Sequence, residues 1–418
     1  MEGRKHGKRG CNIKEHVKEE HMSAFRYAER MKLAKPSFIR ESLKLASDPT
    51  LICFAGGNPD PEYFPWEELA QAADLAIRSD WRTALQYSVT EGNLELRKQL
   101  QDMMEQIGIV TPVEQLVITS GSQQGLDLVA KAFLDQGDKV IVESPTYMGA
   151  INAIKYYEPQ FIEVATDEDG MCMDALEQAL INHPDAKFIY TIPDFQNPTG
   201  RVLAEDRRIR MIELAEQYNV MIVEDNPYYY LRYDGPVVPP VKHFDSVGRV
   251  IYLGSTSKIL CPAMRIGWII ADQHIVNSLV YLKQACDLQS SELTQRIAAK
   301  YLINNDIMKH IAAMNQLYKK KKDLMLQTIR ETFPPEIQYT IPQGGLFLWI
   351  TFPESVDSLE LFHQMKESIR VIFVPGDTFY PYGGHPNTAR LSFATVSEED
   401  IKTGMERMGK MLTEMLQK

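Results

Sequence analysis

The chain has 418 residues, enough to bury a large core across two or three domains, and its 44% hydrophobic content is that of a soluble globular protein. A net charge of −11 argues against a general nucleic-acid or anionic-membrane surface. Cys11, Cys53, Cys172, Cys261 and Cys286 are scattered, odd in number and contain no CxxC pair, which argues against a disulfide scaffold or structural zinc site; with no secretory h-region or long apolar run, a cytoplasmic protein is expected.

The basic opening MEGRKHGKRG has little to bury and reads as a disordered tail. Two helical patterns over residues 15–47 are separated at Pro36, and Arg40 lies in the second. In LICFAGGNPDPEYFP, Gly56 and Gly57 let the backbone approach a ligand without a side-chain clash. Residues 66–80 look helical, and an amphipathic helix begins near Asn93. Between them stands Tyr87, which chemistry alone reads as a half-buried packing aromatic.

At EQLVITSGSQQGLDL a strand over 116–119 gives way to a glycine turn and a helix. Gly121, Ser122 and Gln123 stand where backbone N–H groups at a helix N-terminus can hold a phosphate, although such a turn is also a plain cap. Strand, loop and helix then alternate through DKVIVESPTYMG, with Tyr147, and AKFIYTIPDFQNPTG, with Asn197. Continued to residue 270, this alternation predicts an α/β protein with a mostly parallel sheet, helices on both faces and ligands at the strand ends.

Within that run, the short apolar strand Met221 to Val223 ends in Glu224 and Asp225, with Tyr228 three residues on. A second strand, Val250 to Leu253, breaks at GSTSK, where Ser255, Thr256, Ser257 and the later Arg265 offer hydroxyls and a charged fork suited to a phosphate. Lys258 beside such an anion site suggests a phosphorylated carbonyl cofactor held as a Schiff base, with Asp225 paired to its protonated ring nitrogen and Tyr228 donating to its ring oxygen. Taken alone, the same residues also fit an ordinary loop lysine and a satisfied arginine.

Beyond residue 270 the pattern changes. Residues 271–332 are largely helical, with YKKKKD at 318–323 read as a solvated face. IQYTIPQGGLFLWITFP reads as two strands around a turn at Gly344 and Gly345, Arg390 opens an alternating strand, and a final helix runs from about 396 to 417. The expected division is an N-terminal tail and covering segment (1–53), a large domain (54–304) and a small α+β domain (305–418).

Eight stretches in order, FAGGNPDPEYFP, LQYSVTEG, TSGSQQGLDL, ESPTYMG, PDFQNPTG, EDNPYYYLRY, GSTSKILCPAMRIGW and ARLSFA, span most of the chain. Together they resemble the fold-type I, pyridoxal-phosphate-dependent class I/II aminotransferases, specifically the subgroup of α-aminoadipate and kynurenine aminotransferases and the aminotransferase domains of MocR-type regulators. The resemblance implies a seven-stranded, mostly parallel sheet and pyridoxal 5'-phosphate as cofactor. It implies a phosphate cup of Ser122, Gln123, Ser255, Ser257 and Arg265, Tyr147 stacked on the ring, and Asn197 donating to the ring oxygen beside Tyr228. It places Gly57 near the substrate α-carboxylate, Arg390 as its bidentate clamp and Arg40 toward the substrate side chain. Phe379, in VPGDTFY, reads either as a residue at the small-domain face of the pocket or as core packing. Tyr87 would cross to the neighbouring subunit's cofactor, making a homodimer with shared sites. Lys258 would then move the substrate α-proton in a transamination between amino acids and 2-oxo acids. A β-lyase or decarboxylase is the nearest alternative; a ligand-sensing regulator would need a DNA-binding domain, for which the 53 residues before FAGGNP are too few.

Overall fold

The computed structural model describes residues 25–34 and 48–417. Residues 1–35 and 36–418 form separate units; of the first, Glu29–Leu33 is an exposed 3₁₀ turn. Arg40 lies outside the described residues.

The larger unit starts with β1 (Ile52–Cys53), followed by α1 (Trp66–Ala84), which kinks at Asp80 and runs past the expected end at residue 80. Helix α2 (Leu94–Gln106) begins where the sequence placed it, because the Asn93 side chain accepts the Leu96 N–H. Then come β2 (Leu116–Thr119), α3 (Ser122–Phe133), β3 (Lys139–Ser144), α4 (Met148–Ile154), β4 (Gln160–Asp167), β5 (Gly170–Met171) and α5 (Met173–Asn182). The alternation continues with β6 (Phe188–Thr191), α6 (Glu205–Gln217), β7 (Met221–Asp225), β8 (Val250–Ser255) and β9 (Gly267–Ile270).

Strands β2 to β9 form one sheet in the order β2-β9-β8-β7-β6-β3-β4-β5. The sheet has eight strands rather than seven, since the two residues of β5 fold back on the end of β4. It is mixed: β4, β3, β6, β7 and β8 are parallel neighbours, while β9 runs antiparallel between β8 and β2. Alternate residues of β3 enter two separate cores, Val140 and Val142 in one and Ile141 in the other, because successive side chains point to opposite faces. Both faces are covered, which is why these strands read as near-continuous apolar runs.

Three helices follow, α7 (Gln273–Asp287), α8 (Glu292–Asn304) and α9 (Ile307–Thr332), capped by Asp272, Ser291 and Asp306. Strands β10 (Gln338–Tyr339) and β11 (Phe347–Thr351) flank the Gly344–Gly345 turn. After α10 (Ser358–Ser368), β12 (Val371–Ile372) pairs with β1, and β13 (Val374–Pro375) and β14 (Thr388–Ser392) complete a second sheet in the order β10-β11-β14-β13. The chain ends in α11 (Glu398–Leu416), capped by Ser397.

One expectation about α9 holds only in part. Lys320 and Asp323 are exposed, but Lys321 and Lys322 are buried, Lys321 donating to Asp60 at 2.7 Å and to the Ala394 carbonyl at 2.9 Å, and Lys322 pairing with Asp234. Long aliphatic stems let lysines cross a packed face and deliver the charge to acids on other elements, which a run of like charges in sequence does not reveal.

Candidate active site

Thr119 of β2 and Ser255 of β8 both pair with Gly267 of β9, from opposite sides. This register brings the turn after β2 and the loop after β8 to one edge, with Arg265 between them. Arg265 adopts left-handed backbone (φ 52°) and donates from Nη2 to the Ser120 carbonyl at 3.2 Å. Gly121, with φ 78°, permits that approach; a Cβ there would lie 2.4 Å from Arg265 Nη2. Ser122 begins α3 beside this guanidinium, and Ser255 Oγ accepts the Ser257 N–H at 3.1 Å while its hydroxyl lies 3.0 Å from that of Ser257. A cup of hydroxyls, a helix N-terminus and one guanidinium is chemically an oxyanion receptor.

The carboxyl ends of β3, β6, β7 and β8 supply the rest of a cavity of about 250 Å³. Gly57, Ser122, Gln123, Tyr147, Asn197, Asp225, Tyr228, Ser255, Ser257, Lys258, Arg265 and Arg390, separated by up to 333 positions in sequence, all line it. Gln123 donates one of its two side-chain amide hydrogens to the Gly149 carbonyl at 3.0 Å. Tyr147 folds its ring over Gly149, where a Cβ would lie 2.3 Å from the ring.

Lys258 Nζ donates to the Gly57 carbonyl at 2.7 Å. Its enclosure, then the fields of Arg390 and Arg265, push its pKa down to about 8, so an appreciable fraction is free amine near neutrality. Asp225 lines the same cavity. Burial drives its carboxyl up to about 7 against the pull of a 2.9 Å hydrogen bond from the Tyr190 hydroxyl to Oδ2. Its Oδ1 is buried with no partner among the described residues.

Arg390 sits on the inner strand β14 of the second sheet, opposite Trp349 on one side and Val374 on the other. It is 2% exposed and forms no ion pair among the described residues. Nη1 donates to Asn197 Oδ1 and Nη2 to the Ala55 carbonyl, both at 2.9 Å, and the guanidinium carbon lies 4.2 Å from the Phe347 ring and 5.1 Å from that of Phe379. Asn197 in turn offers Nδ2 to the Tyr228 hydroxyl at 3.5 Å. A buried cation held by neutral acceptors and aromatic faces keeps its charge available for an incoming anion.

Tyr87 does not line this cavity; it is 78% exposed. Sequence reasoning missed Tyr190, Phe347 and Glu143. Tyr190 lies in the fully buried stretch FIYT, with no pattern to single it out, and Phe347 reads only as another apolar strand residue. Glu143, buried at the end of β3, accepts from the Thr191 hydroxyl at 3.0 Å and from Ile192 N–H and Gln196 Nε2 at 3.2 Å each. The one signal for it was an acid two residues before a motif proline.

An amine titrating near neutrality, an anion cup and a buried acid at the strand ends of a mixed α/β sheet define the fold-type I pyridoxal-phosphate-dependent enzymes as the class. The family model described as aminotransferase class I and II matches residues 51–408, and the chain belongs to that family. It is 42% identical over 397 residues to aromatic-amino-acid aminotransferase 1 of Thermococcus litoralis, covering 94% of this chain and 95% of that one. It is 39% identical over 383 residues to 2-aminoadipate transaminase of Thermus thermophilus, covering 91% and 94%. The crystal structure of Pyrococcus horikoshii kynurenine aminotransferase, in complex with PMP, superposes with a TM-score of 0.90 at 38% identity, covering 94% of this chain and 98% of that one. The protein is a pyridoxal-phosphate-dependent aminotransferase acting on amino acids and 2-oxo acids. Its own residues fit that cofactor: Asp225 Oδ1 is an acceptor without a donor, and the cup around Gly121 has room only because no Cβ is there.

Proposed function

We propose a broad transaminase that takes its amino group from aromatic or branched-chain amino acids, glutamate or 2-aminoadipate and gives it to a 2-oxo acid such as 2-oxoglutarate. The observation that carries this reading is Arg390, a buried arginine without an acidic partner among the described residues, lining the same cavity as Lys258. Pyridoxal phosphate, when bound, supplies the electron sink that makes the substrate α-proton removable. In this reading Ser122, Gln123, Ser255, Ser257 and Arg265 bind its phosphate, Tyr147 faces its ring, Asn197 and Tyr228 donate to its ring oxygen, and Asp225 holds the proton on its ring nitrogen. Lys258 Nζ would hold the cofactor and, as a free amine, would carry the substrate α-proton, a task for which a pKa near 8 suits it. Arg390 binds the α-carboxylate as a planar fork, and Phe347 and Phe379 keep water from the guanidinium. Gly57 leaves the carboxylate side of the cavity open.

The two relatives carry names for aromatic and for 2-aminoadipate substrates, and the kynurenine enzyme resembles this chain over nearly its whole length, which supports breadth of donor choice. Since Arg390 serves any amino acid, Arg40 is proposed to meet a distal carboxylate and turn aside for apolar side chains. A steady-state panel of amino donors tests this. Arg40→Ala should raise KM for glutamate and 2-aminoadipate about tenfold or more, as loss of one charged contact does, and change aromatic donors far less. Equal losses for both classes would defeat it.

The division at 53/54 and 304/305 belongs to the same reading, supported by the separate sheet built from β10, β11, β13 and β14. So does the cytoplasmic location, since Cys53, Cys172, Cys261 and Cys286 are free thiols, as a reducing compartment keeps them. The homodimer with shared sites is supported by the segment 66–89, which exposes Trp66, Trp81, Leu85, Tyr87 and Val89.

A further inference from the structure

Tyr190 lies outside every motif that points to the site, yet it is the protein's one hydrogen-bond donor to Asp225 among the described residues. Strands β6 and β7 are parallel neighbours with Tyr190 opposite Val223, so its side chain can reach along the strand to the carboxyl at the end of β7. The contact is dry, with Tyr190 0% and Asp225 1% exposed. The other titratable groups facing Asp225 are the neutral phenols of Tyr147 and Tyr228; Lys258, Arg265 and Arg390 line the same cavity but none forms an ion pair with it. A carboxylate in this position therefore has one charge-assisted hydrogen bond on Oδ2 and a buried, unmatched Oδ1, on a residue that lines the cavity.

We propose that Tyr190 is a positioning residue that keeps Asp225 ionised and fixed in rotamer, so that Oδ1 is presented as an acceptor to the protonated ring nitrogen of pyridoxal phosphate. The inference rests on the assignment of Asp225 to that nitrogen. Its physical basis is a balance. Burial favours the neutral acid, and a hydrogen bond donated to the charged form favours the carboxylate. Tyr190 cannot lose its own proton to take part as an anion, since burial, then the charge of Asp225, hold its hydroxyl well above the usual phenol range. It is a donor at every physiological pH. Without that hydroxyl the carboxylate would sit in an apolar site with no donor on either oxygen, and the group would pick up a proton instead. A neutral Asp225 would donate to the ring nitrogen rather than stabilise a proton there, removing the charge that makes the ring an electron sink.

Tyr190→Phe deletes one oxygen from an otherwise unchanged shape. In the apoprotein, infrared titration of the buried carboxylic-acid band, assigned by its loss in Asp225→Asn, reads the balance directly and needs no cofactor. The midpoint in Tyr190→Phe should move up by about one pH unit, the equivalent of a tenfold change in the proton equilibrium. Pyridoxal phosphate binding, followed by protein fluorescence, should weaken about tenfold near neutrality and converge on wild type at higher pH, where Asp225 ionises again. In the Asp225→Asn background, Tyr190→Phe should change neither affinity nor its pH dependence. An unmoved infrared midpoint, or an equal loss of affinity with and without the Asp225 carboxyl, overturns the role of Tyr190. Unchanged cofactor affinity in Asp225→Asn alone overturns the assignment of Asp225, and the infrared midpoint then still tells whether Tyr190 sets its charge.

Discussion

Lys258 and Arg390 reach one cavity by different routes, and the difference explains what each can do. Arg390 is locked by two 2.9 Å hydrogen bonds and two aromatic faces, so the clamp proposed for it would bind without moving. Lys258 holds one backbone carbonyl at 2.7 Å and is enclosed near Arg390 and Arg265, which favours release of its proton, as the role proposed for it requires. Acylation of the apoprotein by an amine-directed reagent should therefore label Lys258 with a midpoint near 8 rather than the ordinary 10.5. Borohydride reduction of the cofactor-loaded protein should fix the adduct on the same residue, read by peptide mapping. An adduct on another lysine would sink the assignment, and Lys258→Ala should lose turnover by several orders of magnitude while keeping its fold.

Among elements, the end of β3 controls two loops at once. Glu143 accepts from Thr191 and Ile192, at the start of the loop carrying Asn197, and from Gln196, whose amide also donates to the Pro145 carbonyl at 2.7 Å in the loop carrying Tyr147. Burial pushes Glu143 from 4.5 up to about 7 with no cation to compensate. The folded state therefore binds a proton that the unfolded chain has already lost between these values, so the stability this group contributes below 4.5 disappears as pH rises through about 7. Glu143→Gln can keep all three hydrogen bonds, its oxygen accepting from Ile192 and Gln196 and its amide donating to a turned Thr191 hydroxyl. The variant should match wild type in urea midpoint near about pH 5 and exceed it near about pH 8. A variant weaker than wild type at both pH values would mean that the carboxylate is needed for geometry.

For the whole molecule, the exposed Tyr87 decides whether each site belongs to one chain or two. If Tyr87 serves the partner's cofactor, a heterodimer of Lys258→Ala and Tyr87→Phe chains has both lesions in one site and none in the other. Random mixing should then restore about a quarter of the wild-type sites, since half the dimers are mixed and each has one intact site. Lys258→Ala mixed with Arg390→Ala should restore nothing, because those residues line the same cavity and every site keeps one lesion. No recovery in the first mixture would refute the shared site, as would a fully active monomer by light scattering; recovery in the second would instead refute the single-chain pairing of Lys258 with Arg390.

The order and type of the elements around the site were legible in the sequence because each rests on local rules: buried strands read as apolar runs, Asn93 and Ser397 cap the helices that follow them, and strand-end loops carry the polar motifs. Lys258 and Asp225 stood out as polar groups ending apolar strands, whereas Asn197 and Arg390 were singled out only by the motifs they share with the family. What the sequence could not supply was partnership across strands. The Tyr190 bond to Asp225 depends on the β6–β7 register, the Lys321 pair with Asp60 on how α9 packs, and the Glu143 hub on two loops meeting. A side chain's charge and donors are fixed by its identity, but whether it is dry, and what faces it, is settled only when segments 35 to 261 residues apart are packed together.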